Sequence, residues 1–300
     1  MRALFLTFSF FILRQGTAFA IIFPDDGLRF LENSARANYP SSTARLAMTV
    51  GRIYSPRGSP VGTGIHVGSG RILIAYHLYA DFLADAQIKR LSYSLLFQGY
   101  PTENSSFQLF RDDTPIEHRF CDPVWDFCIF EVTDALQKAK MANRHVFIST
   151  RKPTVNSDVI TAGFPGGFAF DDPRASEGIM VDEERSTFAE ATERLPRRRL
   201  PSYPFTVSGD KGISNSPVSL KNDPLLMAAY FWGVPRDHRL EKTEAIRRYR
   251  DGIAQNKDLN EVDFLLNWGI GADHIAESLL HSPLRNLFCS GGNDRIYACR

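Results

Sequence analysis

Charge of one sign, metal-ligand clusters and long apolar runs are all missing from this 300-residue sequence. Thirty-five basic residues stand against 34 acidic ones, a net of +1, so no whole-chain field draws it to nucleic acid. Cysteine is scarce. Cys121, Cys128, Cys289 and Cys299 lack zinc-site spacing and have no second ligand cluster beside them, so no bound metal is expected. The apolar run at the start is too short to cross a bilayer and stay there. Internal repeats and low-complexity tracts are absent as well. Charged residues at 23% and hydrophobic ones at 43% exclude a disordered, collagen-like or coiled-coil chain. In their place stand 23 Phe, 17 Pro and 21 Gly, the texture of short strands separated by turns.

The start of the chain reads as an export leader. Met1-Arg2 supplies a basic end, residues 3–13 an apolar stretch, and Ala18-Phe19-Ala20 a small-x-small cleavage pattern. Residues 1–20 are therefore predicted to be a signal peptide, and the mature protein to be secreted or periplasmic, with no stable membrane insertion. An exported chain can keep disulfides. Cys289 and Cys299 flank a Ser-Gly-Gly-Asn-Asp turn, so a local clip is expected there. For Cys121 and Cys128 the pairing stays open, because Cys128 falls inside an apolar strand-like run.

Residues 21–45 are polar and read as an N-terminal extension or propeptide. From Leu46 short β-type runs follow one another: Leu46 to Tyr54, Gly64 to Val67, Ile72 to Ala75, Ser92 to Phe97, Phe107 to Phe110 and Phe127 to Val132. Val159 to Ala162, Tyr203 to Val207 and Leu225 to Trp232 continue the series. Gly, Pro, Asp and Ser separate them, as in an all-β barrel or sandwich. The highly charged stretch from Asp171 to Arg199 reads as a solvated loop. Arg239 to Gln255 carries Ile246, Tyr249 and Ile253 at helical spacing, which predicts an amphipathic helix packed on the barrel. A last helix is expected from Asp273 to Leu280.

Three segments carry reactive chemistry. Gly212-Ile213-Ser214-Asn215-Ser216-Pro217-Val218 puts a serine two residues after a glycine, where backbone N–H groups can converge beside the hydroxyl. Gly62 to His77 joins two β-runs through Gly68-Ser69-Gly70 and ends in a histidine just as the strand gives out, a rigid yet accessible position. His66, mid-strand, reads as structural. In Trp125-Asp126-Phe127-Cys128-Ile129, an aspartate opens an apolar strand, which is costly unless the carboxylate is paired. Hydrolases of the α/β type run Ser, acid, His around Gly-x-Ser-x-Gly; here the order is His77, Asp126, Ser214 with Gly-x-Ser-x-Ser, the chymotrypsin order.

On these residues the chain resembles the trypsin-like serine peptidase superfamily, and within it the bacterial secreted glutamyl-endopeptidase-like branch. Gly62-Thr63-Gly64 and Ile74-Ala75-Tyr76-His77 are similar to the family's strand and histidine motif. Asp126 to Val132 is similar to its aspartate strand, and Ala162 to Gly166 to a G-Y-P-G turn. Gly212 to Val218 resembles G-x-S-G-S-P-V.

The resemblance implies an all-β, chymotrypsin-like fold of two antiparallel six-stranded β-barrels with a C-terminal helix, from which this chain departs by a helical insertion at 233–262. The first barrel (46–140) would hold His77 and Asp126, and the second (141–300) Ser214. It implies a serine endopeptidase acting on a peptide or protein substrate without any cofactor. Gly212 and Ser214 would form the oxyanion hole, and Ser208, Tyr230, Phe231, Trp232 and Gly233 would bind substrate. Asn215 departs from the family's glycine, and Ile74 from its small polar residue. Those departures motivate a rival, a catalytically inactive binding protein on the same scaffold. A third reading is an esterase using Asp273-His274.

Overall fold

A computed structural model of the chain describes residues 29–30, 42–54, 60–80, 94–99, 107–111, 119–164, 173–189, 198–208, 215–231, 240–257 and 265–299. The expected leader at 1–20 lies outside the described residues, as do Gly212, Ser214, Trp232, Gly233 and most of the extension at 21–45.

In chain order the early elements are β1 (Arg29–Phe30), α1 (Ser42–Ala47), β2 (Val50–Tyr54), β3 (Pro60–His66) and β4 (Arg71–Ala75). They continue with β5 (Ser94–Gly99), β6 (Phe107–Arg111), β7 (Arg119–Asp122) and β8 (Phe127–Glu131). Strands β2 to β8 form a seven-stranded sheet in the order β6-β5-β2-β3-β4-β8-β7, every neighbour antiparallel.

Then come α2 (Ala135–Met141), β9 (Phe147–Ser149), β10 (Asp158–Gly163), β11 (Arg174–Ile179), β12 (Arg185–Ala189) and β13 (Arg198–Phe205). The chain continues through β14 (Pro217–Leu220), β15 (Asp223–Phe231), α3 (Lys242–Ala254) and β16 (Asn267–Gly271). It finishes with α4 (Ala272–His281), β17 (Phe288–Gly292) and β18 (Arg295–Ala298). The second sheet has eleven strands, on a main path β1-β11-β10-β14-β15-β16-β13-β12. Six of them close on themselves. Val181 N–H donates to the Pro204 carbonyl (2.8 Å) and Thr206 N–H to that of Ile179 (3.1 Å), which brings the end of β11 back to β13.

Strand alternation sorts side chains into three cores, because successive residues point to opposite faces. Along β4, Ile72 and Ile74 face one way with Cys128 and Phe130 of β8. Leu73 and Ala75 face the other way with Phe127 and Ile129, into a core shared with Ile160, Trp268 and Ile270 of the second sheet. Val159, Tyr203, Phe205 and Val218 fill the second barrel's own interior. Burying a large apolar side chain is worth roughly 1.5–3 kcal/mol, so the shared core joins the two sheets strongly.

The chain's late hairpin adds a clamp. Strand β18 pairs with β17 and β9, and Ala298 N–H donates to the Val67 carbonyl at 2.8 Å. The approach is close enough to demand glycine at 68. A Cβ there would lie 2.4 Å from the Ala298 carbonyl oxygen, and its φ is +105°. The four cysteines pair as Cys121–Cys128 and Cys289–Cys299, the second closing this hairpin.

Three local expectations are corrected. The β-run expected from Leu46 opens as helix α1, whose Ala44, Leu46 and Ala47 are buried. The charged stretch from Asp171 to Arg199 is no simple loop. It contains β11 and β12, because charged side chains can stand outward while the backbone pairs with β10 and β13. Helix α2 was not anticipated; Asp134 caps it, its carboxylate accepting from Leu136 and Gln137 N–H. Helix α3 docks as expected through Tyr249, which is buried, lies edge-on to Trp268 and donates to Asp182 at 3.1 Å. Its Arg247 and Arg248 are paired with Glu244, and Arg247 also with Asp251. Among the described residues, no helix is long and apolar enough to cross a membrane.

Candidate active site

The site begins with a turn. Cys121 and Cys128 stand directly opposite one another across β7 and β8, as do Asp122 and Phe127. Only Pro123 to Asp126 remain to reverse the chain. Asp122 organises them, its Oδ1 accepting from Val124 N–H (2.8 Å) and, more weakly, Trp125 N–H (3.3 Å). Its Oδ2 accepts from Ser278 on α4 at 2.5 Å. Asp126 ends the turn at φ +53°, a left-handed conformation that aspartate tolerates better than most residues.

That conformation places Asp126 at the end of β4, because β4 and β8 are paired with Ala75 opposite Phe127. Tyr76 N–H donates to the Asp126 carbonyl (2.9 Å). One residue on, His77 N–H donates to Oδ1 (2.9 Å) and its ring Nδ1 meets Oδ2 (2.8 Å). The carboxylate is almost fully buried and the imidazole is partly open, with side-chain exposures of 4% and 14%. A buried carboxylate needs such donors to offset its lost hydration. With the Nδ1 proton facing Asp126, Nε2 carries the lone pair and is the basic nitrogen. The sequence-predicted pair is therefore brought together, with the carboxylate gripping both backbone and ring.

On the second sheet, Asn215 is described and Ser214, which precedes it, is not. Asn215 is buried at φ +79°, and its Oδ1 accepts a 2.6 Å hydrogen bond from the Tyr230 hydroxyl. Tyr230 was expected to contact substrate. Its side chain instead points inward and is fully buried, and its backbone is paired on both sides, with Pro217 and with Ile270. Phe231 follows in the same strand, opposite Gly269. Ser208 is fully buried, its N–H on Ser176 Oγ at 2.7 Å.

Two other histidines are accounted for differently. His66 is held by backbone, Nδ1 on the Arg144 carbonyl (2.6 Å) and Nε2 accepting from Gly70 N–H (3.0 Å). Burial pushes it down from 6.5 to about 4, so it stays neutral and structural, as its mid-strand place implied. His274 stacks on Trp125, centroids 4.1 Å apart and rings 8° from parallel. Its Nε2 meets Glu184 Oε1 at 2.6 Å. Burial raises the Glu184 carboxyl, yet hydrogen bonds from His274 and Lys152 outweigh that and hold it below the usual range. His274 therefore pairs with Glu184 and not with its neighbour Asp273. Asp273 has a buried Oδ1 without a hydrogen bond, and burial raises its carboxyl. Among the described residues, no group of three His, Cys, Asp or Glu side chains is arranged to hold a metal.

The sequence reading missed Tyr230's inward role and the Asp122 turn. A short Asp-Pro-x-x-Asp stretch between two cysteines was the available signal for the second; nothing local marks the first.

No family model matches the chain, and no curated protein matches it by sequence. Solved structures do. The active form of the Mycobacterium tuberculosis protease Rv3671c superposes with a TM-score of 0.52 at 14% identity, covering 82% of this chain and 86% of that one. An inactive form of the same protease gives 0.51 at 15% identity, covering 82% and 94%. The fold is chymotrypsin-like. At this identity the likeness speaks for the all-β architecture and for nothing finer, since folds outlive functions.

Proposed function

We propose that this chain is an exported serine endopeptidase that hydrolyses peptide bonds through Ser214, His77 and Asp126. The observation that carries the reading is the double grip of Asp126 on His77, at 2.9 and 2.8 Å. A carboxylate so placed fixes the imidazole tautomer and stabilises the imidazolium, which is what a general base for a hydroxyl nucleophile needs. His77 Nε2 takes the Ser214 proton as the oxygen attacks the substrate carbonyl. It then returns that proton to the leaving amine, and a water repeats the cycle on the acyl-enzyme. Backbone N–H groups of Gly212 and Ser214 receive the oxyanion, each worth roughly 3–4 kcal/mol of barrier. The chemistry calls for no cofactor.

Export is supported by the leader-like residues 1–20 and by two disulfides. Kinship with the glutamyl-endopeptidase branch rests on the G-Y-P-G-like turn at Ala162 to Gly166 and on the motif around Ser214. Ser208 carries no charge, which argues against a pocket built for Arg or Lys. Trp232 and Gly233 remain in the proposed substrate strand beyond Phe231.

A fluorophosphonate label on the purified mature protein tests the reading. We expect one adduct per chain, mapped to Ser214 and abolished by His77→Ala. A folded protein that takes no label would instead favour the binding-protein alternative. Labelling that depends on His274 would favour the esterase.

A further inference from the structure

One buried phenol faces two left-handed residues. Asp126 has φ +53° and Asn215 φ +79°, a conformation that glycine adopts freely and that aspartate and asparagine adopt at some cost. Tyr230 lies between them. Its hydroxyl donates to Asn215 Oδ1 at 2.6 Å, and the same oxygen is 3.5 Å from the Asp126 carbonyl. A phenol has one proton to give, and the short bond takes it. Burial, reinforced by the charge of Asp126, pushes the Tyr230 hydroxyl well above its usual 10, so it remains a donor in ordinary buffers. The strand on either side of Tyr230 is paired to β14 and β16, so the hydroxyl sits at a fixed point of the barrel.

The other end of the Asn215 amide is less well served. Nδ2 is buried and has no hydrogen-bond partner among the described residues. It faces Gly62 on β3, where a Cβ would come within 3.2 Å of it and 2.8 Å of Leu78 Cδ1. A glycine at 215 would adopt φ +79° freely and leave no buried N–H₂ unsatisfied. The asparagine is thus the costlier choice by two counts. What it adds is one thing a glycine lacks, a handle that the Tyr230 hydroxyl can hold.

We propose that Tyr230 is a positioning residue. Through Asn215 it fixes the residue next in sequence to Ser214 relative to the Asp126 turn, granted the nucleophile assigned above. It acts by direction alone and touches no reacting atom. The second barrel's reactive segment is thereby tied to the same phenol that borders the turn bearing Asp126.

The test replaces Ser214 by cysteine and reads the thiol, which needs no proteolysis. A thiol held beside an imidazole titrates well below the roughly 8.5 of free cysteine, as seen in the pH profile of iodoacetamide alkylation. We expect Ser214→Cys to titrate below about 7.5, and added Tyr230→Phe to move the profile up by about one pH unit toward the free value. Adding Asn215→Gly to that pair should bring it back, because glycine needs no grip. With Ser214 in place, Tyr230→Phe should slow fluorophosphonate labelling by about 10- to 100-fold, as a misplacement of about 1 Å does. Its melting temperature should stay well above the assay temperature. A thiol profile identical with and without the Tyr230 hydroxyl overturns the proposal while leaving the nucleophile assignment standing. A free-cysteine profile in Ser214→Cys alone sinks the nucleophile assignment, and the positioning role with it.

Discussion

Two histidine–carboxylate pairs in this molecule look alike by distance and differ in everything around them. His77 Nδ1 and Asp126 Oδ2 are 2.8 Å apart; His274 Nε2 and Glu184 Oε1 are 2.6 Å apart. Asp126 spends both oxygens on one residue, the ring and the backbone N–H of His77. Glu184 divides its oxygens among His274, Lys152 at 3.1 Å and Tyr203 at 3.3 Å. His77 lies in a helical turn that begins just after β4 ends at Ala75, while the His274 face is covered by Trp125. A carboxylate devoted to one imidazole directs it; a shared carboxylate fastens elements together. On the proposed function, distance alone does not separate a base from a brace.

The sharpest way to break that contrast is to remove each ring. His77→Ala is expected to cut turnover of a chromogenic peptide by about 10⁴-fold or more, as loss of a triad member does. His274→Ala should leave it within a few-fold. Equal losses from the two would erase the distinction. The carboxylates give the next step. Asp126→Asn should cost about 10⁴-fold in kcat by presenting the wrong tautomer. Glu184→Gln should barely change kcat and should lower unfolding free energy by roughly 1–3 kcal/mol through strained hydrogen bonding, read by urea denaturation.

His66, held by backbone and by neither carboxylate, supplies a different variable. Burial lowers it from 6.5 to about 4, so the unfolded chain binds the proton more readily than the folded one. The stability this contributes is complete above pH 6.5 and is lost as pH falls through about 4. The linkage amounts to roughly 3 kcal/mol at most. Denaturation midpoints that do not fall between pH 7 and pH 4 would refute the assignment.

The reach of sequence reasoning follows the range of the interactions. Strands β4 and β8 were legible because Ile72 to Ala75 and Phe127 to Glu131 are apolar runs bounded by turn residues. His77 and Asp126 stood out because both sit where an apolar strand begins or ends. Helix α4 was found within about a residue of its expected ends. Short elements were harder. Helix α1 has only six residues, so its burial against the sheets, and not local propensity, sets its conformation. Strands β11 and β12 were concealed by charge that faces outward. The hydrogen bond from Tyr230 to Asn215 joins residues whose neighbours carry no mark of the contact; it exists only once β14 and β15 have paired.

The hairpin of β17 and β18 gives the molecule a calendar. Synthesis passes His77 and Asp126 long before it reaches Ala298, whose N–H fastens the Val67 turn. Until then the Val67 carbonyl lacks that bond, and Gly68 lacks the Ala298 backbone that packs against it. The fastening also waits on oxidation, since Cys289 and Cys299 lie on the hairpin and beside its end. A reducing compartment would therefore hold the newly made chain with its two sheets less firmly registered. An oxidising one would finish the alignment, so the thiol chemistry of the surroundings times when the two sheets come into register.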